Sequence, residues 1–164
     1  MGVVQVGNLE VIDLRETYPS GDYETRDLSE INFMVVHHSV TPNDMRDEDA
    51  IDRIYNYHVN SLGWPGIGYH FLVGHFGHIY LAGGVETIRY HASTANPSSI
   101  GVCVLGTFDK EDPSCRQVAD TDELLRNISM GLGQELLWKP HKELSSTACP
   151  GLMASSLKAF RGEA

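Results

Sequence analysis

Apolar stretches along the chain predict most of its β-strands. "LEVIDL" (residues 9–14) predicts a short strand, and "INFMVVHHS" predicts a buried strand that ends near His38, because it is apolar and β-branched. "GYHFLVGHFGHIYLAGG" contains two apolar runs around "GHFG", which is the pattern of a β-hairpin. "SIGVCVLGTF" is almost continuously apolar and suits the middle of a sheet.

Apolar residues at helical spacing predict three helices. The first covers residues 47 to about 60 and begins with an acidic turn, which favours a helix N-terminus. The second runs from about Thr121 to Trp138, since leucine or isoleucine recurs every fourth residue there, and Pro140 ends it. A short final helix is predicted from four apolar residues: Leu152, Met153, Leu157 and Phe160.

The order of these elements indicates the fold class. Strand, helix, hairpin, strand, helix and helix follow one another, which favours an α/β fold with a central mixed β-sheet flanked by helices. The 164 residues suit one domain. Within residues 1–164, we expect residues 1–30 to form an N-terminal extension that packs on a core of residues 31–160.

Charge and cysteine content exclude some classes of protein. The net charge is −10, from 12 basic and 22 acidic residues, which argues against nucleic acid or an anionic membrane surface as the partner. The acidic clusters at residues 44–52 and 109–122 are interpreted as solvated helix starts and loops. Three cysteines fit a reduced protein better than a disulfide scaffold.

No apolar run approaches the roughly 20 residues that cross a bilayer. The first residues, "MGVVQVGNLEVIDLR", lack the basic start and apolar block of a secretory signal. We therefore expect a protein that accumulates in the cytoplasm, or a part of a longer exported protein.

Histidine and cysteine side chains suggest a metal site. His37 and His38 end a predicted strand, and because neighbouring strand residues point to opposite faces, only one of them can enter a given site. His141 and Cys149 lie eight positions apart in a polar, turn-like segment. A thiolate with two imidazoles suits zinc, and three protein ligands leave a fourth position for water, as in catalytic sites. The alternative for a single histidine is a hydrogen-bonded residue of the core or of a sheet edge.

Four ordered segments carry a resemblance to a known family. They are "VVHHS" (residues 35–39), "GWPGIGYHFLV" (63–73), "HASTANPSSIGVCVLGTF" (91–108) and "HKELSSTACPG" (141–151). Together they resemble the type-2 N-acetylmuramoyl-L-alanine amidases, a family that includes phage lysozyme-like amidases and the animal peptidoglycan recognition proteins. The resemblance covers about residues 33–151.

The resemblance implies a set of metal ligands and catalytic residues. The first histidine of "HHS" is the family's zinc ligand, so His37 is chosen over His38, and His141 and Cys149 match the other two ligands. Tyr69 matches a tyrosine that lies beside the metal and orients water or donates to the oxyanion. Thr147 stands where some members carry lysine and where catalytic peptidoglycan recognition proteins carry threonine.

Other matched positions are implied to bind substrate or to shape the site. His91 is placed near the substrate carbonyl as a second donor. Asn96 precedes Pro97, and either forms a turn or contacts the peptide. Trp64 either lines the groove as an aromatic platform or packs within its loop. Cys103 occupies the position of a glutamate base found in some bacterial members, so the chain resembles the tyrosine-dependent branch.

The implied activity is zinc-dependent hydrolysis of the amide between N-acetylmuramic acid and L-alanine of the stem peptide. Such a protein would act on bacterial peptidoglycan at the cell wall as a monomeric endolysin or autolysin with bound Zn²⁺. One alternative is a recognition module that binds muropeptides without cutting them, although such members typically lack the cysteine ligand. Another is a structural zinc site in an unrelated α/β domain, which needs a fourth ligand; His38 is the nearest candidate.

Overall fold

A seven-stranded mixed sheet forms the centre of the protein in the computed structural model, which describes all residues from Met1 to Ala164. Across the sheet the strand order is β1-β2-β5-β4-β6-β3-β7. The strands are β1 (Val3–Val6), β2 (Leu9–Asp13), β3 (Phe33–His38), β4 (Phe71–Val73), β5 (Ile79–Leu81), β6 (Ser99–Val104) and β7 (Leu137–Pro140). β6, β3 and β7 are parallel neighbours, as are β4 and β6, whereas β1–β2 and β4–β5 are antiparallel pairs. The predicted mixed sheet is confirmed.

Three α-helices cover the sheet: α1 (Asp47–Asn56), α2 (Cys115–Leu132) and α3 (Met153–Arg161). A π-helical turn, Tyr57–Ser61, extends α1, so the helix predicted over residues 47–60 is present. Short 3₁₀ segments occupy Leu28–Glu30, Ser93–Ser98 and His141–Glu143.

The second helix starts and ends earlier than its apolar spacing predicts. Ser114 caps its N-terminus by accepting the Gln117 amide N–H, in a reciprocal capping box. Gly133 ends it in the left-handed conformation at φ 65°, which glycine adopts without steric cost. The prediction of a helix reaching Trp138 is therefore wrong beyond residue 132, and residues 137–140 form the edge strand β7 instead.

The two faces of the sheet bury different clusters. Even-numbered residues of β3 and β6, such as Met34 and Val102, pack under α2 and α3. Cys103 points to the opposite face, where it packs with Leu72 and with Ile51 of α1. Because strand side chains alternate, His37 shares the α1 face with Cys103, its register partner.

Some acidic residues are buried, contrary to the expectation that both acidic clusters are solvated. Asp47 begins α1 and accepts hydrogen bonds from the β4–β5 hairpin, while Asp120 and Asp122 of α2 are buried and paired with arginines. The arginine partners lower the cost of burying these carboxylates. No helix combines the length and apolar character required to cross a membrane.

Candidate metal centre

Two adjacent parallel strands bring His37 and His141 together. β3 and β7 pair in a register that sets Val36 opposite Pro140, so the next residue of each chain segment lies at the same edge of the sheet. These next residues are His37 and His141, and their ring centroids are 4.5 Å apart. β7, which the sequence pattern does not predict, therefore positions His141, which the sequence does mark as a candidate ligand.

The loop after His141 returns Cys149 to the same place. The Lys142 amide N–H donates to the Cys149 carbonyl at 2.8 Å, which closes the loop. The sulfur of Cys149 accepts the His38 backbone N–H at 3.3 Å and lies 3.9 Å from His37 Nδ1. A backbone donor aimed at the sulfur favours the thiolate form that binds metals.

The three side chains fit a zinc ion. Their ligand atoms all lie within 4.8 Å of one another. Around a tetrahedral zinc, with Zn–N about 2.0 Å and Zn–S about 2.3 Å, ligand atoms are about 3.3–3.6 Å apart, so only small shifts would close the site. Two imidazoles and a thiolate are the donor set that zinc favours.

The protonation states of the two imidazoles also suit metal binding. Burial, reinforced by neighbouring histidines, holds the pKa of His37 well below its usual value, and burial lowers the pKa of His141. Both imidazoles are therefore neutral at pH 7 and retain a lone pair. Burial raises the pKa of the Cys149 thiol to about 11, so binding of zinc must displace its proton.

His38 is not part of this cluster. Its Nδ1 accepts the Phe108 amide N–H at 3.1 Å, and its Nε2 is 3.8 Å from a carboxylate oxygen of Asp109. The potential metal-binding group contains His37, His141 and Cys149 alone. It has the composition of a three-ligand site.

Tyr69 lies against the cluster. Its ring centroid is 5.2 Å from that of His37 and 5.6 Å from that of His58. Burial, followed by the nearby Cys103 and Cys149 sulfurs, raises the pKa of the Tyr69 hydroxyl well above its usual value. The hydroxyl therefore keeps its proton and can act as a hydrogen-bond donor.

The other predicted residues occupy different surroundings. Thr147 is exposed, two residues before Cys149, and its hydroxyl oxygen accepts the Cys149 amide N–H at 3.2 Å. Asn96 Oδ1 accepts the amide N–H groups of His91 and Ala92 at 3.0 and 2.7 Å, which is the turn-forming role. A peptide contact by Asn96 stays a prediction.

Trp64 packs within an aromatic group. Its ring centroid is 4.5 Å from His58 and 5.6 Å from Tyr90. These contacts match the loop-packing alternative, and a role as a platform for substrate stays a prediction.

His91 directly contacts His37, a member of the candidate metal cluster. Its Nδ1 is 3.0 Å from His37 Nε2, and its Nε2 is 3.4 Å from the Ser99 hydroxyl. Both ring nitrogens therefore have partners within the protein. The predicted contact between His91 and the substrate carbonyl stays a prediction.

The sequence patterns do not single out Arg26, which lies between β2 and the 3₁₀ segment Leu28–Glu30. Arg26 is only 8% exposed and donates to backbone carbonyls of Val85, Asn96, Pro97 and Ser99. It thereby holds the segment that carries His91. No local pattern marks it, because all these partners are 59 to 73 residues away along the chain.

A cavity of about 430 Å³ opens beside Tyr69. Tyr69 and His58 form its inner wall, and the turn after β3 and the outer surface of α1 form the rest. Its lining residues are His38, Ser39, Val40, Thr41, Arg53, Ile54, Tyr57, His58 and Tyr69. The cavity meets the surroundings of the cluster at Tyr69, and none of the three cluster residues lines it.

A mixed sheet that brings two histidines together at the carboxyl ends of β3 and β7, next to a cysteine from the following loop, defines an α/β domain with a candidate zinc centre. Residues 27–152 match the family described as N-acetylmuramoyl-L-alanine amidase. The chain belongs to this family, which confirms the resemblance seen in the sequence.

Two sequence relatives agree with the assignment to this family. Peptidoglycan-recognition protein SC1a of Drosophila melanogaster is 31% identical over 126 residues, covering 74% of this chain and 68% of that protein. Peptidoglycan recognition protein 1 of Mus musculus is 34% identical over 107 residues, covering 63% of this chain and 59% of that protein.

Solved structures show the same fold. The ectodomain complex of peptidoglycan recognition proteins LCa and LCx with bound tracheal cytotoxin matches with a TM-score of 0.81 and 27% identity, covering 94% of this chain and 98% of that chain. The Ph2119 endolysin from Thermus scotoductus MAT2119 bacteriophage Ph2119 matches with a TM-score of 0.78 and 26% identity, covering 94% and 99%. The similarity in fold therefore extends over nearly the whole chain.

Proposed function

We propose that this protein is a zinc-dependent N-acetylmuramoyl-L-alanine amidase that acts on bacterial peptidoglycan. The observation that carries the proposal is the grouping of His37, His141 and Cys149, with ligand atoms within 4.8 Å of one another and no fourth protein ligand in the group. Membership of the amidase family and the similarity to a phage endolysin support the same activity.

The proposed reaction is hydrolysis of one amide. Water adds to the carbonyl of the lactyl group of N-acetylmuramic acid, the C–N bond to L-alanine breaks, and a carboxylate and a free amine result. When bound, zinc supplies a Lewis acid that polarises the carbonyl and makes water a better nucleophile.

Two hydroxyl groups of this chain assist the reaction in this proposal. Tyr69 keeps its proton because burial raises its pKa, so its hydroxyl donates a hydrogen bond where negative charge develops. Thr147 accepts the Cys149 amide N–H through its oxygen, which leaves the hydroxyl hydrogen of Thr147 available to substrate. Neither donor carries a charge, so each stabilises an oxyanion less than a lysine would.

The cavity beside Tyr69 is the proposed place for the stem peptide. Tyr57 of its outer wall is 56% exposed, and Arg53 contributes a cationic group to the rim. A bacterial stem peptide carries carboxylates, which a guanidinium binds well. We expect the protein to act at the cell wall as an endolysin or an autolysin.

The second candidate function is binding of muropeptides without cleavage. The names of the curated relatives favour it, since those proteins are peptidoglycan-recognition proteins, and the LCa–LCx complex holds tracheal cytotoxin. The retained cysteine and the neighbouring Tyr69 favour hydrolysis.

One experiment separates the two functions. The purified protein is incubated with a defined muropeptide, with and without equimolar zinc, and the products are analysed by mass spectrometry. Hydrolysis predicts a free stem peptide with an L-alanine N-terminus, a yield that depends on zinc, and loss of product in Cys149→Ala. The matched control Cys115→Ala, altered at an exposed cysteine, should behave as wild type. Tight binding of the intact muropeptide with no product at any zinc concentration contradicts the amidase proposal.

A further inference from the structure

The contact between His37 and His91 restricts where their protons lie. His37 Nε2 and His91 Nδ1 are 3.0 Å apart, and their rings are almost perpendicular at 86°. A hydrogen bond between two neutral imidazoles requires that one nitrogen carries hydrogen and the other does not. Two orders of donor and acceptor satisfy this condition.

Only one order leaves His37 able to bind a metal. If His91 donates to His37 Nε2, then neutral His37 carries its hydrogen on Nδ1, the atom that lies 3.9 Å from the Cys149 sulfur. A protonated Nδ1 has no lone pair to offer. If instead His37 donates through Nε2, the Nδ1 lone pair faces the other ligands, as metal-binding histidines require.

The surroundings of His91 favour this second order. With Nδ1 accepting from His37, neutral His91 carries hydrogen on Nε2, which lies 3.4 Å from the Ser99 hydroxyl oxygen. The Ser99 hydroxyl in turn donates to the Ala95 carbonyl at 2.7 Å. Every bond of the series from His37 to Ala95 then has one donor and one acceptor.

The ring of His91 is held in this position from several sides. Asn96 accepts the His91 backbone N–H, which fixes the start of the loop. Gly101 of β6 makes room for the ring, because a Cβ atom at that position would lie 2.6 Å from His91 Cγ. The ring contacts follow from the fold and need no bound substrate.

We propose that His91 is a positioning residue of the metal centre, which fixes His37 in the tautomer whose Nδ1 lone pair faces His141 and Cys149. This inference rests on the zinc site of the proposed function but not on amidase activity. Hydrogen-bond partners of metal-binding histidines typically change metal affinity by about 10–100-fold when they are removed.

A pair of nearly isosteric variants tests this role. His91→Asn can place its carbonyl oxygen near the position of Nδ1 and keep an acceptor, whereas His91→Leu has a similar shape and no acceptor. We expect His91→Leu to weaken zinc binding by about 10–100-fold and His91→Asn to restore most of the affinity. Competition with a chromophoric chelator gives the dissociation constants, and far-UV circular dichroism checks that both variants fold.

A measurement on the unaltered protein keeps the proposal testable if His91→Leu does not fold. Nitrogen-15 NMR of histidine-labelled protein reports which ring nitrogen of His37 carries hydrogen. We expect hydrogen on Nε2 and, after zinc is added, the metal on Nδ1. Hydrogen on Nδ1 with the metal on Nε2 overturns the proposal.

The affinity data distinguish positioning from a substrate contact. Wild-type zinc affinity in His91→Leu, together with a raised KM for muropeptide, overturns the positioning role and assigns His91 to the substrate. If the wild-type protein binds zinc with the expected tautomer but cuts no muropeptide, the amidase proposal fails while this inference holds.

Discussion

Replacing Asp47 with alanine removes a carboxylate that joins the start of α1 to the β4–β5 hairpin. Asp47 is 2% exposed. Its oxygens accept the backbone N–H of His75 at 2.9 Å, a ring nitrogen of the same histidine at 3.1 Å and the Tyr80 hydroxyl at 2.9 Å. Alanine would leave these donors without their acceptor in a region that excludes water.

The size of the effect follows from these bonds. One hydrogen bond to a charged group contributes about 1.5–3 kcal/mol, but three bonds that share one carboxylate are not additive. We expect Asp47→Ala to lower the free energy of unfolding by about 3–5 kcal/mol, the range for breaking a buried polar network. Asp47→Asn keeps one acceptor oxygen and should cost about 1–3 kcal/mol.

The same bonds predict a dependence on pH. Burial is the largest influence and raises the pKa of Asp47, but the bonds from His75 and Tyr80 together outweigh it and hold the pKa below its usual value. The unfolded chain therefore takes up the proton first, at a pH of about 3.9. The Asp47 contribution is complete above that pH and is lost as the pH falls through the lower pKa of the folded protein.

Urea unfolding of wild type and Asp47→Ala, followed by circular dichroism at pH 7 and at several values below 4, measures both effects. Asp49→Ala is the matched control, because Asp49 lies in the same helical turn but is exposed and pairs only with Arg46. The reasoning is refuted if Asp47→Ala unfolds at the wild-type urea concentration, or if the difference between them does not shrink on acidification.

Three further predictions concern the site and its support. Tyr69→Phe should keep zinc but lower kcat by about 10²–10³-fold, measured by release of stem peptide; an unchanged kcat excludes the hydroxyl from the reaction. Cys149→Ala should lose stoichiometric zinc in equilibrium dialysis while Cys115→Ala retains it; equal zinc content removes Cys149 from the site. Arg26→Met, which removes the donor to the buried carbonyl of Ser99, should lower the free energy of unfolding by about 3–5 kcal/mol; an unchanged urea midpoint contradicts this role.

Local patterns predict the central elements of this fold but not its edges. β3 and the β4–β5 hairpin follow from apolar runs that are buried on both sides of the sheet. β7 has no such pattern, since Leu137 is 74% exposed and the leucine spacing of α2 continues past its true end. Gly133 ends α2, whereas from the sequence alone it appears as a destabilising residue inside a helix that continues to Trp138.

The metal cluster and its surroundings differ in how far sequence can predict them. His37, His141 and Cys149 lie in motifs that mark them as candidate ligands without knowledge of the packing, and the fold brings the three side chains together. The hydrogen bond of His91 to His37 joins residues 54 positions apart, so only the folded chain reveals it. The local pattern also places Asp47 in solvent, because its partner His75 lies 28 positions away along the chain.

The most direct test of the central claim is a crystal structure of the zinc-loaded protein, with anomalous diffraction measured at the zinc absorption edge. We predict one strong peak, within bonding distance of His37, His141 and Cys149, with no other side chain bound to it. A peak elsewhere, or a fourth residue that completes the coordination, contradicts the account of this protein as a zinc hydrolase.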